Sequence, residues 1–177
     1  MRRLNYQFHW VSLVVLLCGL GWMVLTRQSA TPTIVVAPGF PLPTLSFTSA
    51  TGAAVTTVPN GRAQVLTLWA SWCPPCRAEI PVVAALAPSL ATRGIDVILV
   101  NQGESPADAQ GFLTSQQITL PVWYDPQGLL ATAVASRDLP TTVFVDASGI
   151  VRLVYRGPVS PDVLTNMANI LTIGGQP

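Results

Sequence analysis

Apolar and polar positions along this chain change period several times, and each change marks an element. The first apolar block runs from Trp10 to Thr26, broken only by Ser12 and two glycines, with Met1-Arg2-Arg3 ahead of it and Arg27 closing it. Its seventeen residues meet the lower end of the ~17–25 that a membrane-spanning helix needs. From Ser29 to Pro43 there are four prolines and no sustained period, which predicts an extended tether. Leu45-Ser46-Phe47 and Ala54 to Val58 flank a turn over Ser49 to Gly52 and predict a short hairpin. Val65 to Trp69 has the apolar composition of a buried strand. Ile80, Val83, Leu86 and Leu90 then recur at helical spacing up to Gly94, with Pro81 inside as a predicted kink. Asp96 to Asn101 reads as a second buried strand, and Ser105-Pro106 as a helix start leading to Phe112-Leu113. Leu120 to Tyr124 is a short strand turned by Asp125-Pro126-Gln127-Gly128, and Leu129 to Ala135 a short helix. Thr141 to Asp146 and Ile150 to Arg156 are strands close enough for an antiparallel hairpin, and Ser160-Pro161 caps a closing helix to about Leu171. The order β-α-β-α-β-α, then ββα, predicts an α/β fold with a central mixed sheet and helices on both faces. Three segments result: a membrane helix over 1–27, a Pro-rich tether over 28–43 and a folded domain over 44–177.

Charge sharpens the N-terminal reading. Arg2, Arg3 and the amino terminus outweigh Arg27, so the N-terminus is expected to stay in the cytoplasm and the bulk of the chain to be exported. Two readings stand: an uncleaved anchor, or a cleaved signal peptide, whose site at Gln28-Ser29-Ala30 has Gln where a small residue is wanted. A lipoprotein site at Cys18 would have Leu17 in the small-residue position, so Cys18 reads as an ordinary apolar residue. The chain has 177 residues, half of them apolar and 10% charged, with a net charge of +1. That balance gives no electrostatic case for nucleic acid.

The chemistry concentrates in Cys73-Pro74-Pro75-Cys76, between a buried strand and a helix. Two cysteines at this spacing can reach each other to form a disulfide. At a helix N-terminus the unpaired N–H groups and the positive dipole end stabilise a thiolate. Cys73 is expected as the nucleophile and Cys76, one turn in, as the resolving thiol. A haem attachment site needs His after the second Cys, where Arg77 stands; a zinc site needs two more ligands, and only Cys18 and His9 remain. Redox chemistry and a structural disulfide are the readings left. No metal and no cofactor beyond the Cys73–Cys76 disulfide are expected.

Three stretches together carry a family resemblance: Trp69 to Pro81 (WASWCPPCRAEIP), Val100 to Ser105 (VNQGES) and Leu139 to Asp146 (LPTTVFVD). In this order they resemble the TlpA/ResA group, membrane-anchored bacterial thiol-disulfide oxidoreductases of the thioredoxin fold. The resemblance covers roughly Phe40 to Leu171. It implies that Pro140 is a cis-proline facing the disulfide, and that the hairpin before Arg62 is an extra N-terminal element. It also implies that Trp72, Pro74, Pro75, Leu139 and Pro140 form the client-binding surface. Thioredoxin proper has a buried Asp where this chain has Thr67, and Thr67 cannot assist proton transfer. Glu79, one turn after Cys76, matches an acidic position of the group; a carboxylate there can exchange protons with a buried thiol. The alternative for Glu79 is a solvent-facing helix residue. Glu104 reads as a charge or cap at the next helix start, Trp69 as core, and Arg77 either as a thiolate partner or as a solvated side chain.

Pro75 stands where a strongly oxidising relative of the DsbA type has His. The expected potential is therefore nearer about −270 mV than about −120 mV. The resemblance implies a reductase with client disulfides in apocytochrome c or a copper chaperone, recharged by a transmembrane thiol carrier of the DsbD or CcdA type. The alternatives are a non-catalytic binding module with a structural disulfide, and a peroxiredoxin-like peroxidase, whose Cys would stand alone in a Thr-rich loop.

Overall fold

The computed structural model describes residues 33–35 and 39–173, within one compact unit, Pro32–Pro177. The segment expected to cross the membrane, with His9 and Cys18, lies outside the described residues, among which no helix is long and apolar enough to span a bilayer. Nine strands are described: β1 Thr33–Val35, β2 Phe40–Pro41, β3 Ser46–Ser49, β4 Ala54–Thr56, β5 Ala63–Trp69, β6 Ile95–Gln102, β7 Val122–Asp125, β8 Thr141–Val145 and β9 Ile150–Arg156. Four helices accompany them: α1 Pro74–Ala91, α2 Pro106–Ser115, α3 Leu129–Ala133 and α4 Pro161–Ile173. The strands lie in the order β1-β9-β8-β5-β6-β7-β3-β4, and β2 also pairs with β9. β5, β6 and β7 run parallel, while β8 joins β5 antiparallel, so the sheet is mixed. This is the thioredoxin-like architecture.

The central strands carry continuous apolar runs because both faces of the sheet are covered. Every residue of β5 is buried. Val65 and Trp69 pack with Ile80, Val83, Phe112 and Leu164 in one core. Leu66 and Leu68 point the other way, into a second core with Ile98, Leu130 and Val143. Each such side chain removed from water stabilises the fold by about 1.5–3 kcal/mol. The buried stripe of α1 is Cys76, Glu79, Ile80, Val83, Ala87 and Leu90. Leu86, expected on it, is only half-buried, and Ala87 takes its place.

Three expectations need correction. Part of the segment expected as a tether over 28–43 belongs to the sheet: Thr33–Val35 pairs with Arg156–Val154, and Phe40–Pro41 with Val151–Ile150. The folded unit therefore reaches upstream of residue 44. The third strand starts at Val122 instead of Leu120, since Pro121 has no N–H to give the ladder and contributes its carbonyl to the Leu99 amide. The helix after Gly128 ends at Ala133, because Ala135 adopts φ +50° and cannot continue it. β3 and β4 pair antiparallel, and β3 joins the sheet through β7. The β8–β9 turn closes on Gly149, whose φ is +81°; an added Cβ there would approach Pro59 to 2.5 Å.

Candidate active site

β5 delivers the chain to the site. After Trp69 it turns at once, the Cys73 amide donating to the Ala70 carbonyl at 3.2 Å, and α1 begins at Pro74. Pro74 and Pro75 occupy the first helical positions, where a missing N–H costs nothing because that donor would lack a helical partner anyway. The first N–H available after them is that of Cys76, and it donates to Cys73 Sγ at 3.3 Å. Cys73 is thus its own helix cap, with sulfur in the place usually taken by a Ser or Asp oxygen. A negative sulfur gains most from that donor and from the dipole behind it. Cys73 and Cys76 are joined as a disulfide, with Cα atoms 5.3 Å apart. Cys76 is fully buried, whereas Cys73 keeps 4% of its surface exposed.

Around Cys73 lies a hollow of about 670 Å³ lined by Trp72, Cys73, Pro74, Pro75 and Leu139, among others. Trp72 is 63% exposed, a large apolar side chain standing in solvent beside the sulfur. The Leu139–Pro140 bond is cis. Pro140 itself is buried, and its carbonyl accepts from the Gly157 amide; Leu139 rather than Pro140 contributes to the hollow. Four of the five residues expected on the client surface therefore meet there. Residues not foreseen join them: Gln102 at the end of β6 and Gly103 after it, Pro126 to Gly128 after β7, and Arg137 and Asp138 before β8. Most follow the carboxyl ends of parallel strands, where ligand sites of α/β sheets gather. That rule, applied to the predicted strand ends, could have found them.

Beneath the disulfide the surroundings are dry. Glu79 is 2% exposed and lies one helical turn after Cys76 on the same buried stripe, so the solvent-facing alternative is excluded. The Thr142 hydroxyl donates to Glu79 Oε1 at 3.2 Å, and Oε2 has no full hydrogen bond. Burial pushes the Glu79 carboxyl up to about 8; the Thr142 hydroxyl and the Val159 backbone oppose this only in part. Thr142 faces Thr67 across β5–β8 and Tyr155 across β8–β9. The Thr67 hydroxyl is buried with no partner. The Tyr155 hydroxyl titrates above its ordinary range, first through burial and then through the Glu79 charge. A short polar row thus crosses an otherwise apolar core below Cys76.

Two more side chains take places other than the obvious ones. The Arg77 guanidinium stacks over the Phe112 ring, 5.1 Å from its centre, and Trp69 is fully buried with its ring against Phe112. Glu104 does not cap α2. The cap is Ser105, whose Oγ accepts from the Asp108 amide at 3.2 Å, while Glu104 reaches back to Ser71.

Residues 35–154 match the AhpC/TSA family. The thiol-disulfide oxidoreductase ResA of Geobacillus thermodenitrificans is 28% identical over 156 residues, 86% of this chain and 87% of that protein. The thiol:disulfide interchange protein HelX of Rhodobacter capsulatus is 31% identical over 116 residues, 65% of this chain and 64% of that one. A thiol:disulfide interchange protein of the thioredoxin family from Chlorobium tepidum superposes with a TM-score of 0.67 at 26% identity, covering 78% of this chain and 99% of its own. With a capped, disulfide-forming Cys73–Cys76 pair at the head of α1, the chain belongs to the AhpC/TSA family and is a ResA-like thiol-disulfide oxidoreductase of the thioredoxin fold.

Proposed function

We propose that this oxidoreductase is a membrane-tethered reductase of client disulfides on the extracytoplasmic side of the bacterial cytoplasmic membrane. The observation that carries the reading is the Cys76 amide aimed at Cys73 Sγ, 3.3 Å away, above a buried carboxyl. In the reduced enzyme Cys73 is the thiolate that this donor favours. It attacks one sulfur of a client disulfide docked in the hollow, and the client's other sulfur leaves as thiolate and takes up a proton. Cys76 then loses its proton and attacks Cys73 Sγ, which frees the client's second thiol. Two electrons have passed to the client, and the enzyme is left with its own disulfide. Ionised Glu79 is the base that receives the Cys76 proton. Its carboxyl, raised to about 8, is a far stronger base than an ordinary carboxylate and so is suited to take a thiol proton.

Pro75 in place of a charged residue supports the reducing direction, because it adds no extra stabilisation to the reduced form. Apocytochrome c cysteines or a copper-site assembly protein are the client classes, and a transmembrane thiol carrier of the DsbD or CcdA type returns the electrons. The apolar block from Trp10 to Thr26 with its flanking arginines supports the tether. Trapping tests the reading: in a Cys18→Ala background, Cys76→Ser should accumulate mixed disulfides in vivo as high-mass bands that reductant removes. Cys73→Ser should give few or none. Equal trapping by both variants would reverse the roles, and no trapping by either would favour a structural disulfide.

A further inference from the structure

Glu104 lies two residues beyond β6 and is half-buried. Its Oε1 accepts from the Ser71 amide at 2.7 Å and also from Asn101 Nδ2, while Oε2 accepts from the Ser71 hydroxyl. Asn101 is itself anchored: it is 1% exposed and lies opposite Trp69 in the β5–β6 ladder. One carboxylate thus spans 33 residues of sequence and ties the loop after β6 to the loop after β5. Ser71 has both its amide and its hydroxyl committed to this contact. The next residue is Trp72, the most exposed large apolar side chain beside the disulfide, and Cys73 follows. Trp72 stacks on no described aromatic ring, and the backbone on either side fixes the point from which its side chain projects. On the Cys73 side that backbone is held by the Ala70 carbonyl and by α1. On the other side it is held by Glu104.

We propose that Glu104 is a positioning residue for client docking: by clamping Ser71 it holds Trp72 at the rim of the hollow, where a protein client is gripped before its disulfide reaches Cys73. The clamp leaves the sulfur chemistry alone, since the cap on Cys73 Sγ comes from the Cys76 amide within α1. Losing it therefore weakens productive association with a large client and leaves the reaction with a small disulfide nearly intact. The geometry of the acceptors matters more than their charge. A glutamine keeps an oxygen for the Ser71 amide and Asn101, and the Ser71 hydroxyl can turn to accept from the new amide.

The inference rests on the reductase reading, and one experiment separates the two. Full-length protein is assayed in turnover with insulin, as a protein disulfide, with dithiothreitol re-reducing the enzyme after each cycle. Pre-reduced and freed of dithiothreitol, it is also assayed in a single turnover with 5,5′-dithiobis(2-nitrobenzoate), as a small one. Losing hydrogen bonds to a charged group predicts that Glu104→Ala raises the KM for insulin about tenfold, with kcat and the small-disulfide rate within about twofold. Glu104→Gln should recover most of the loss. Ser71→Ala deletes only the hydroxyl arm; it should raise the insulin KM by about threefold and show no further effect when added to Glu104→Ala. An unchanged insulin KM in Glu104→Ala overturns the inference, as does a glutamine variant no better than the alanine one, or equal losses toward both disulfides. If Glu104→Ala does not fold, Ser71→Ala decides alone, and an unchanged KM sinks the clamp. Failure of the unaltered protein to reduce insulin sinks the reductase reading instead.

Discussion

The only two glutamates of the chain serve the same disulfide segment, Glu104 by holding Ser71 before Cys73 and Glu79 from the buried stripe after Cys76, and they have opposite surroundings. On the rim, Glu104 has donors at both oxygens, so its carboxylate is a fixed acceptor that holds two loops together. Below, Glu79 has one hydroxyl at 3.2 Å and an oxygen with no full partner. A carboxyl taken out of water with a single donor is held mostly neutral near pH 7, yet titrates close enough to that range to give up and take back its proton. Donors around a carboxylate make it architecture, and their scarcity makes it a proton exchanger. The same residue type serves both purposes within one site because the sheet separates a wet end from a dry interior.

The strongest way to break this contrast is to remove the exchangeable proton below. Glu79→Gln retains shape and keeps an acceptor for Thr142, so the fold survives; reduction of a protein disulfide near pH 7 should fall by about a hundredfold if Glu79 supplies general-base help to Cys76. Stability gives an independent reading of the same group. The folded carboxyl titrates near 8 against an ordinary 4.5, so the neutral form is the one the fold prefers. Its contribution is complete below about pH 4.5 and is lost as pH rises through 8, a decline on the order of a few kcal/mol. Denaturant midpoints measured from pH 5 to 9 should fall in the parent and stay flat in Glu79→Gln. A parent curve that is flat or rising would return Glu79 to the class of ordinary ionised carboxylates.

A milder change sharpens the contrast instead of abolishing it. The Thr142 hydroxyl holds the Glu79 carboxyl down, so Thr142→Val should push its titration further up and move the ascending limb of the pH–rate profile, on which Glu79 becomes an ionised base, to higher pH by up to about one unit. A shift to lower pH would show that Thr142 donates elsewhere. The smallest effect belongs to the rim. Arg77→Ala loses the ring contact with Phe112 and should cost about 0.5–1 kcal/mol in unfolding measurements without changing the alkylation rate of Cys73. A slower alkylation would instead make Arg77 a thiolate partner.

What could be read from sequence follows the range of the forces involved. β5 and β6 were visible because burial on two faces writes an unbroken apolar run, and Ser105 announced α2 because a cap acts within three residues. The Cys73–Cys76 pair was visible for the same local reason. β1 and β2 were not. With three and two residues among several prolines they carry no period, and only pairing with β9, more than a hundred positions later, makes them strands. Glu104 was misread because its partner Ser71 lies 33 residues upstream, whereas the adjacent helix start offered a nearer explanation. Glu79 stood between: its place after Cys76 and four before Val83 put it on the apolar stripe of α1, yet only the packed structure shows that it is buried there.

The ladder between β9 and the two short strands before residue 44 has a practical side. Cutting the chain at residue 44, where composition first suggests a folded start, strips both strands away and leaves β9 as an edge strand, with those of its amides and carbonyls that do not face β8 open to solvent. Such an open edge, flanked by Val151, Leu153, Val154 and Tyr155, is a template for another copy to pair with. A soluble fragment for assay should therefore begin upstream of Thr33; one that begins later invites self-association that could be mistaken for a property of the enzyme.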